Sequence, residues 1–264
     1  VYDDGGGYGG ILLDSATIAG AQDYVITFQA ETGEEPFIST GNINGHGIEI
    51  VNTFKQLNFD NIDISTTHGH GYFFNNAFLL SGATIQHCNI ENFDSADIAG
   101  NMGAVYISNT PGNSVDNVFV SSNTITMDDW YGIFTSYADG VRIENNFLQT
   151  GDDGGYYGIF LNQCGDSGAF KPLIYGNTVN DPSSVSAADF AVYMSGANTK
   201  GLQVSNNMCI GAAYGMQINC DGGASNSDHN VVFNNLIVNA EVFGLDVLGA
   251  SHTDIFSLLL SLPY

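Results

Sequence analysis

The chain has 264 residues, with 28 acidic side chains against only 4 Lys or Arg, which gives a formal charge of −24 with the histidines neutral. The acidic share is ordinary for a soluble protein, so the imbalance comes from missing cations. Four cations cannot neutralise the row of phosphates that nucleic-acid binding requires, and an anionic lipid surface would repel the chain. Because no apolar run reaches the ~18 residues of a membrane span either, we expect neither a nucleic-acid partner nor membrane insertion.

Hydrophobic residues make up 44% of the chain, which is enough for one large core, and we expect a single domain over residues 1–264. The start at Val1, without an initiator Met or a signal peptide, is typical of an excerpt from a longer secreted chain. We therefore expect an extracellular or cell-surface location. The four cysteines have no Cys-x-x-Cys spacing, which leaves open whether they form disulfides or stay as buried thiols.

The segment from Ala21 to Gly41 reads AQDYVITFQAETGEEPFISTG. It resembles the opening coils of pectin-lyase-like β-helix proteins, in which a related phrase introduces the solenoid, although Val25 stands where that phrase usually has Pro. The resemblance implies a right-handed parallel β-helix. It leaves the activity open, because this superfamily includes polysaccharide lyases and hydrolases, uronan epimerases, phage tailspikes and surface adhesins.

From residue 47 onward two short phrases alternate at a similar period. The first is a small residue followed by alternating apolar positions, and its copies begin at Gly47, Gly71, Gly103, Gly132, Gly158, Ala191, Gly215 and Gly244. The second is a strand-like run broken by Asn, at Asn61, Asn89, Asn123, Asn146, Asn177, Asn207 and Asn235. Both phrases are rich in β-branched and aromatic residues with period two and are bounded by turn residues, which predicts strands.

The repeats predict an all-β fold, a single-stranded right-handed parallel β-helix of about eight to nine coils, with longer excursions at 108–116 and 181–189. One coil of short strands cannot bury its inward face alone, but coils stacked about 4.8 Å apart form a continuous core. The recurring Asn is expected to adopt the left-handed conformation and to bond through its amide to the equivalent Asn of the next coil.

Two loops, 127–132 and 151–158, align when the coils are superimposed, and each carries an Asp pair followed by aromatic residues. Together they define an Asp/aromatic edge, to which the preceding coil adds Asp94 and Asp97; its other members are Asp128, Asp129, Trp130, Tyr131, Asp152, Asp153, Tyr156 and Tyr157. Its aromatic rings, with His68 and His70 from another loop, are candidates for contact with sugars. The two histidines titrate near neutrality in an ordinary environment.

Three interpretations of this edge remain open. Asp128, Asp129, Asp152 and Asp153 would supply the paired carboxylates of glycoside hydrolysis. Asp97, Asp129 and Asp153 would supply oxygen ligands to calcium. Alternatively, the acids are ordinary turn residues and the aromatics pack as a lateral stack.

The motifs of known β-helix enzymes are incomplete in this chain. Gly151-Asp152-Asp153 resembles the Asp pair of polygalacturonase-type hydrolases, and His68-Gly69-His70-Gly71 resembles their Gly-His-Gly motif. The order is reversed here, however, and the Arg-x-Lys motif of that family is absent. Arg142 is the only arginine, and an ion pair with Glu144 explains it more simply than the role of a lyase base.

We therefore expect a domain that binds or processes polysaccharide, with neutral or calcium-bridged glycans favoured by the negative charge. Whether it is an enzyme, and if so a lyase or a hydrolase, stays open. The alternative is a structural or adhesive solenoid, such as a surface filament subunit or a phage fibre shaft, that associates head to tail. Because a solenoid needs covered ends, and the C-terminal segment 258–264 is apolar, we predict caps, a partner or a neighbouring domain at both ends.

Overall fold

A computed structural model describes residues 10–18, 20–31, 34, 36–40, 45–67, 69–75, 77–79, 81–92, 102–110, 115–128, 130–150, 156–165, 171–181, 189–196, 199–220, 229–248 and 252–261. Within these ranges the secondary structure is entirely β. The first strands are β1 (Ile11–Asp14), β2 (Val25–Gln29), β3 (Phe37–Thr40), β4 (Ile48–Val51), β5 (Thr53–Phe54), β6 (Gln56–Asp60), β7 (Asp63–Thr66), β8 (Tyr72–Asn75), β9 (Phe78–Leu79), β10 (Ala83–Gln86), β11 (Asn89–Asn92), β12 (Gly103–Ser108), β13 (Val118–Ser121) and β14 (Thr124–Met127). The remaining strands are β15 (Tyr131–Ser136), β16 (Arg142–Glu144), β17 (Phe147–Thr150), β18 (Tyr157–Asn162), β19 (Leu173–Tyr175), β20 (Thr178–Asn180), β21 (Phe190–Ser195), β22 (Gln203–Ser205), β23 (Met208–Ile210), β24 (Tyr214–Asn219), β25 (Asn230–Phe233), β26 (Leu236–Val238), β27 (Phe243–Val247), β28 (Thr253–Phe256) and β29 (Leu259–Ser261).

These strands form three nine-stranded parallel sheets and one two-stranded sheet, β5–β9. Sheet A runs β1-β4-β8-β12-β15-β18-β21-β24-β27, sheet B runs β2-β6-β10-β13-β16-β19-β22-β25-β28, and sheet C runs β3-β7-β11-β14-β17-β20-β23-β26-β29. Each coil therefore contributes one strand to A, then B, then C. The predicted right-handed parallel β-helix is confirmed, with nine coils.

The core is a set of inward columns that continue from coil to coil. In sheet C, for example, Ile64, Ile90 and Ile125 are register partners and are fully buried. Burying a side chain of this size contributes about 1.5–3 kcal/mol. Because every coil supplies such residues to all three sheets, the neighbouring coils bury the inward face that one coil alone would expose.

The small residue of the first repeated phrase occupies one column of sheet A. The register aligns Gly47, Gly71, Ala104, Gly132, Gly158, Ala191, Gly215 and Gly244. A Cβ atom on Gly132 would lie 2.5 Å from the carbonyl oxygen of Gly158 and 2.6 Å from Cδ2 of Leu148, which explains the demand for a small residue there. The third copy begins at Ala104, so the sequence alignment on Gly103 was wrong by one residue.

A ladder of buried Asn side chains runs along the corner between sheets B and C. The Nδ2 atoms of Asn123, Asn146, Asn177 and Asn207 each donate to Oδ1 of the next member, ending at Asn235, at 2.9 to 3.0 Å. The predicted amide ladder is thus confirmed for these five residues.

The ladder differs from the prediction in two details. The left-handed conformation belongs to the residue before each ladder position, as at Asn145 (φ 55°) and Asn206 (φ 57°). Asn61 is also left-handed (φ 57°), and the residue after it is Ile62 and not an Asn. Asn89 lies inside β11. Neither joins the ladder, because turning the chain and bonding to the next coil are tasks of adjacent residues.

Two further expectations are settled by local contacts. Arg142 and Glu144 form the expected ion pair, with Nε 2.5 Å from Oε1. All four cysteines, Cys88, Cys164, Cys209 and Cys220, are buried and free. Burial raises the pKa of Cys164 to about 11 and that of Cys209 to about 12, so these thiols are packing residues and not nucleophiles.

Candidate functional site

Most acids of the predicted Asp/aromatic edge lie outside the described residues, as does one of the two histidines: Asp94, Asp97, Asp129, Asp152, Asp153 and His68. Asp128 is described; it follows β14, is half-buried, and its backbone N–H donates to the carbonyl oxygen of Asn92 at 2.9 Å. Among the described residues no group of three or more His, Cys, Asp or Glu is placed to hold a metal ion. The catalytic and calcium interpretations of the edge therefore stay predictions.

The aromatic residues of the edge separate onto two sides of the coil. Trp130 is 48% exposed at the corner between sheets C and A. Tyr131 and Tyr157 are register partners at the start of β15 and β18, and their rings stack with centroids 5.5 Å apart. The two loops that the sequence aligned therefore do lead into adjacent strands.

Tyr156 instead points into the protein, at 5% exposure. Its backbone N–H donates to Oδ1 of Asp189 at 3.3 Å, and Thr150 donates through Oγ1 to Oδ1 of Asp181 at 3.2 Å. Burial, and after it the nearby charge of Asp181, raises the pKa of Tyr156 far above its ordinary value. Its neutral ring is part of the interior and adds nothing to the outer surface of the edge.

His70 stacks with His46 at the upstream end of the same sheet, with ring centroids 5.0 Å apart. Nδ1 of His70 accepts a bond from the backbone N–H of Gly103 at 3.0 Å, and Nδ1 of His46 accepts one from the backbone N–H of His70 at 3.1 Å. Both imidazoles therefore carry their proton on Nε2. Burial, and then repulsion from His46, lowers the pKa of His70 to about 3, so the pair is neutral and serves as two aromatic rings.

These rings belong to a larger surface on the outside of sheet A, which we call the aromatic face. It has two columns of rings aligned by the strand register. The first column is Tyr131, Tyr157, Phe190, Tyr214 and Phe243, and the second is Phe73, Tyr106, Phe134, Phe160 and Tyr193. Successive centroids within a column lie 4.5 to 5.8 Å apart, close to the ~4.8 Å spacing of paired strands.

The orientation of the rings determines what the face offers to a ligand. The ring planes of Tyr157 and Phe190 differ by 5° and those of Phe190 and Tyr214 by 15°, so these stacked rings are nearly parallel. The flat sides of Phe190, and the sides of Tyr157 and Tyr214 that face it, are therefore covered, and at these positions the outside meets ring edges and phenol groups. Tyr131 and Phe134, at 7% and 8% exposure, are buried within the face. Burial raises the pKa of Tyr106 and of Tyr157, which keeps these hydroxyls neutral and able to donate hydrogen bonds.

A third, polar column borders the rings. Register aligns Asn75, Ser108, Ser136, Asn162, Ser195 and Asn219. Within this column Asn162 donates through Nδ2 to Oγ of Ser136 at 3.4 Å. Asn219 donates through Nδ2 to the hydroxyl of Tyr193 in the second ring column at 3.5 Å. The second ring column is flanked by Glu49 upstream and Asp246 downstream and is uncharged between them. From Phe73 to Tyr193 this uncharged stretch covers four coil steps, or about 19 Å.

Sequence reasoning missed most of this face because it searched the loops. The signal was present in the strands, since the residue two places after the small anchor is aromatic in five consecutive copies: Phe73, Tyr106, Phe134, Phe160 and Tyr193. Starting the third copy at Gly103 moved Tyr106 out of this alignment. The buried acids Asp181 and Asp189 were recognised only as the limits of an excursion.

The three sheets and the outer ring columns define the class of this protein as a parallel β-helix with an aromatic face. No protein-family model, no curated protein and no solved structure matches the chain. In the part of the chain that the structure describes, there is no helix long and apolar enough to span a membrane.

Proposed function

We propose that this chain is a polysaccharide-binding β-helix, whose ligand lies along the aromatic face parallel to the solenoid axis. The observation that carries the proposal is the uncharged strip of about 19 Å, in which ring edges and phenol groups lie beside a column of Ser and Asn. Apolar ring surface next to neutral hydrogen-bonding groups suits a sugar, which has both C–H and O–H groups. The coil repeat would present equivalent groups to successive units of an extended glycan.

The charge of the chain favours a neutral glycan over a polyuronate. At a formal charge of −24, the protein would repel a polyanion unless cations bridged the two. Calcium bound at Asp97, Asp129 and Asp153 would provide such a bridge. Processing of the bound glycan by Asp128, Asp129, Asp152 and Asp153, membership of the pectin-lyase-like superfamily and an extracellular or cell-surface location all belong to this proposal.

Affinity electrophoresis through gels containing a dissolved polysaccharide tests the binding directly. Gels with a neutral glucan, mannan, xylan or arabinan should retard the protein, whereas polygalacturonate without calcium should not. The double variant Tyr157→Phe, Tyr193→Phe removes two phenol groups and keeps both rings stacked. We expect it to weaken binding at least fivefold.

Tyr175→Phe is the matched control, because Tyr175 is an exposed tyrosine on sheet B. It should bind like the wild type. If none of the neutral gels retards the protein, or if the double variant binds as well as the control, the aromatic face is not a glycan site.

A second candidate function is that of a structural or adhesive solenoid, such as a surface filament subunit or a phage fibre shaft. The covered ring faces favour it, because stacking such as that of Tyr157 on Phe190 contributes about 0.5–1.5 kcal/mol per pair to the fold itself. In that case the double Phe variant keeps all its stacking and no glycan binds. The same electrophoresis therefore distinguishes the two candidates.

A further inference from the structure

Two acidic side chains are buried at the corner between sheets C and A. Asp181 directly follows β20 and is 3% exposed, and Asp189 directly precedes β21 and is 1% exposed. An acidic side chain is seldom buried this completely unless a positive charge or a metal ion accompanies it. Turn formation alone therefore does not explain these two residues.

The strand register places the two acids close together. Extended by one residue, the pairing of β20 with β23 aligns Asp181 with Gly211. The pairing of β21 with β24, extended in the same way, aligns Asp189 with Ala213. A single residue separates Gly211 from Ala213, so the chain spans at most ~7 Å between them. Because the acids stack on these two residues, their carboxylates repel each other, and more strongly in the interior than in water.

The preceding coil adds two hydroxyl groups to this corner, from Thr150 and Tyr156. The Thr150 hydroxyl donates to Oδ1 of Asp181 at 3.2 Å, and the backbone N–H of Tyr156 donates to Oδ1 of Asp189 at 3.3 Å. The hydroxyl of Tyr156 is buried and makes no hydrogen bond of normal geometry with the described residues. After burial, the charges of Asp181 and then of Asp189 raise its pKa, so this hydroxyl faces both acids. A buried hydroxyl without a protein partner indicates a water molecule or an ion beside it.

The basic side chains of the chain lie at a different corner of the coil. All four Lys and Arg residues lie at the start of a strand of sheet B or just before it: Lys55 before β6, Arg142 in β16, Lys171 before β19 and Lys200 before β22. Strands of sheet B begin at the corner with sheet A, whereas the two acids lie where sheet C leads into sheet A. A positive charge beside the acids therefore has to come from the solvent.

We propose that this corner binds one calcium ion, with the carboxylates of Asp181 and Asp189 as protein ligands and the hydroxyl of Tyr156 bonded to a water molecule of its shell. Calcium suits the corner because it takes about six to eight oxygen ligands in an adaptable geometry and accepts bidentate carboxylates. Its double positive charge balances the two acids. The ion would join the end of β20 to the start of β21. This site is distinct from the calcium site predicted for the Asp/aromatic edge and does not depend on glycan binding.

Calorimetric titration of the whole chain with calcium chloride, after dialysis against a chelator, tests the proposal. We expect saturable binding and a higher melting temperature in calcium than in chelator, because the ion binds the folded chain. The variants Asp181→Asn and Asp189→Asn keep the Oδ1 atoms that accept the bonds from Thr150 and Tyr156. Each should weaken calcium binding roughly tenfold or more and abolish the rise in melting temperature. In chelator neither should melt below the wild type, since each removes one of two repelling charges, a result that a purely structural role of the acids would not give.

Two further variants complete the test. Glu91→Gln removes a carboxylate on the outside of sheet C and is the matched control, which should bind calcium like the wild type. Tyr156→Phe loses only the contact with a water ligand and should weaken binding about threefold. The inference is overturned if the wild type binds no calcium. It is equally overturned if both Asn variants, with native circular dichroism spectra, bind calcium as tightly as the control, because the ion would then lie at other acids.

Discussion

Replacing Asn177 by Ala tests how much of the stability depends on the Asn ladder. The side chain is 1% exposed and makes four hydrogen bonds. Its Nδ2 donates to Oδ1 of Asn207 at 3.0 Å and to the carbonyl oxygen of Ile143 at 2.8 Å. Its Oδ1 accepts from the backbone N–H and from Nδ2 of Asn146, both at 2.9 Å.

The expected cost follows from those four bonds. Each contributes about 1 kcal/mol net, and a buried group left without its partner costs about 1–3 kcal/mol. Water entering the space left by the amide would restore part of this loss. We therefore expect Asn177→Ala to lower the free energy of unfolding by about 4 kcal/mol.

Urea unfolding followed by circular dichroism measures this change. Asn58→Ala is the matched control, because Asn58 faces outward from sheet B, where its Nδ2 donates to Oγ1 of Thr27 at 3.4 Å and its Oδ1 accepts from Nε2 of Gln56 at 3.1 Å. Both bonds are partly open to water, so its effect should stay within about 0.5 kcal/mol. Since Asn177 lies in the middle of the stack, its loss should also broaden the transition as neighbouring coils uncouple. A loss below about 1 kcal/mol, or one equal to the control, would refute the view that the ladder holds the coils together.

Two further predictions concern titration and thiol chemistry. Burial lowers the pKa of His70 from 6.5 to about 3, so between these pH values the unfolded chain binds a proton that the folded chain does not. The free energy of unfolding should therefore fall as the pH decreases from 6.5 toward 3. It should fall less steeply in the His70→Gln variant, which lacks this group. Parallel pH profiles for the two proteins, measured by urea unfolding at pH 7, 5 and 4, would count against the assigned environment. Burial raises the pKa of Cys164 to about 11 and that of Cys209 to about 12, so these thiols should react with a disulfide reagent at pH 8 only after denaturation. Rapid reaction of either thiol in the native protein would show that it is not buried in the core.

The fold could be predicted from the sequence because the repeat carries its own register. A small residue at one column and an amide at one corner recur in every central coil, so the period alone specifies a stack of strands. The error in the alignment of the repeats was confined to one coil. Gly103 and Ala104 are both small, and only the pairing of Val105 with Ile133 shows which of them occupies the anchor column.

The candidate site was less predictable, because neighbouring residues face opposite sides of a strand. Tyr156 and Tyr157 are adjacent and chemically alike, yet one is buried beside Asp181 and Asp189 and the other stacks on the outer face. Which of them faces outward depends on where β18 begins, and a loop rich in Gly and Asp does not encode that position. The depth at which the two acids are buried likewise depends on the coils around them.

Because the coils rise by a fixed distance, the excess of acidic over basic residues can be expressed as a charge per unit length. Nine coils, with eight steps of about 4.8 Å, form a stack about 38 Å long. A formal charge of −24 then corresponds to one net negative charge for every ~1.6 Å of axis, close to the ~1.7 Å per charge of duplex DNA. In this respect the solenoid is a polyelectrolyte. Its line charge results from the omission of lysine and arginine, and the hydrogen bonds between strands fix its spacing.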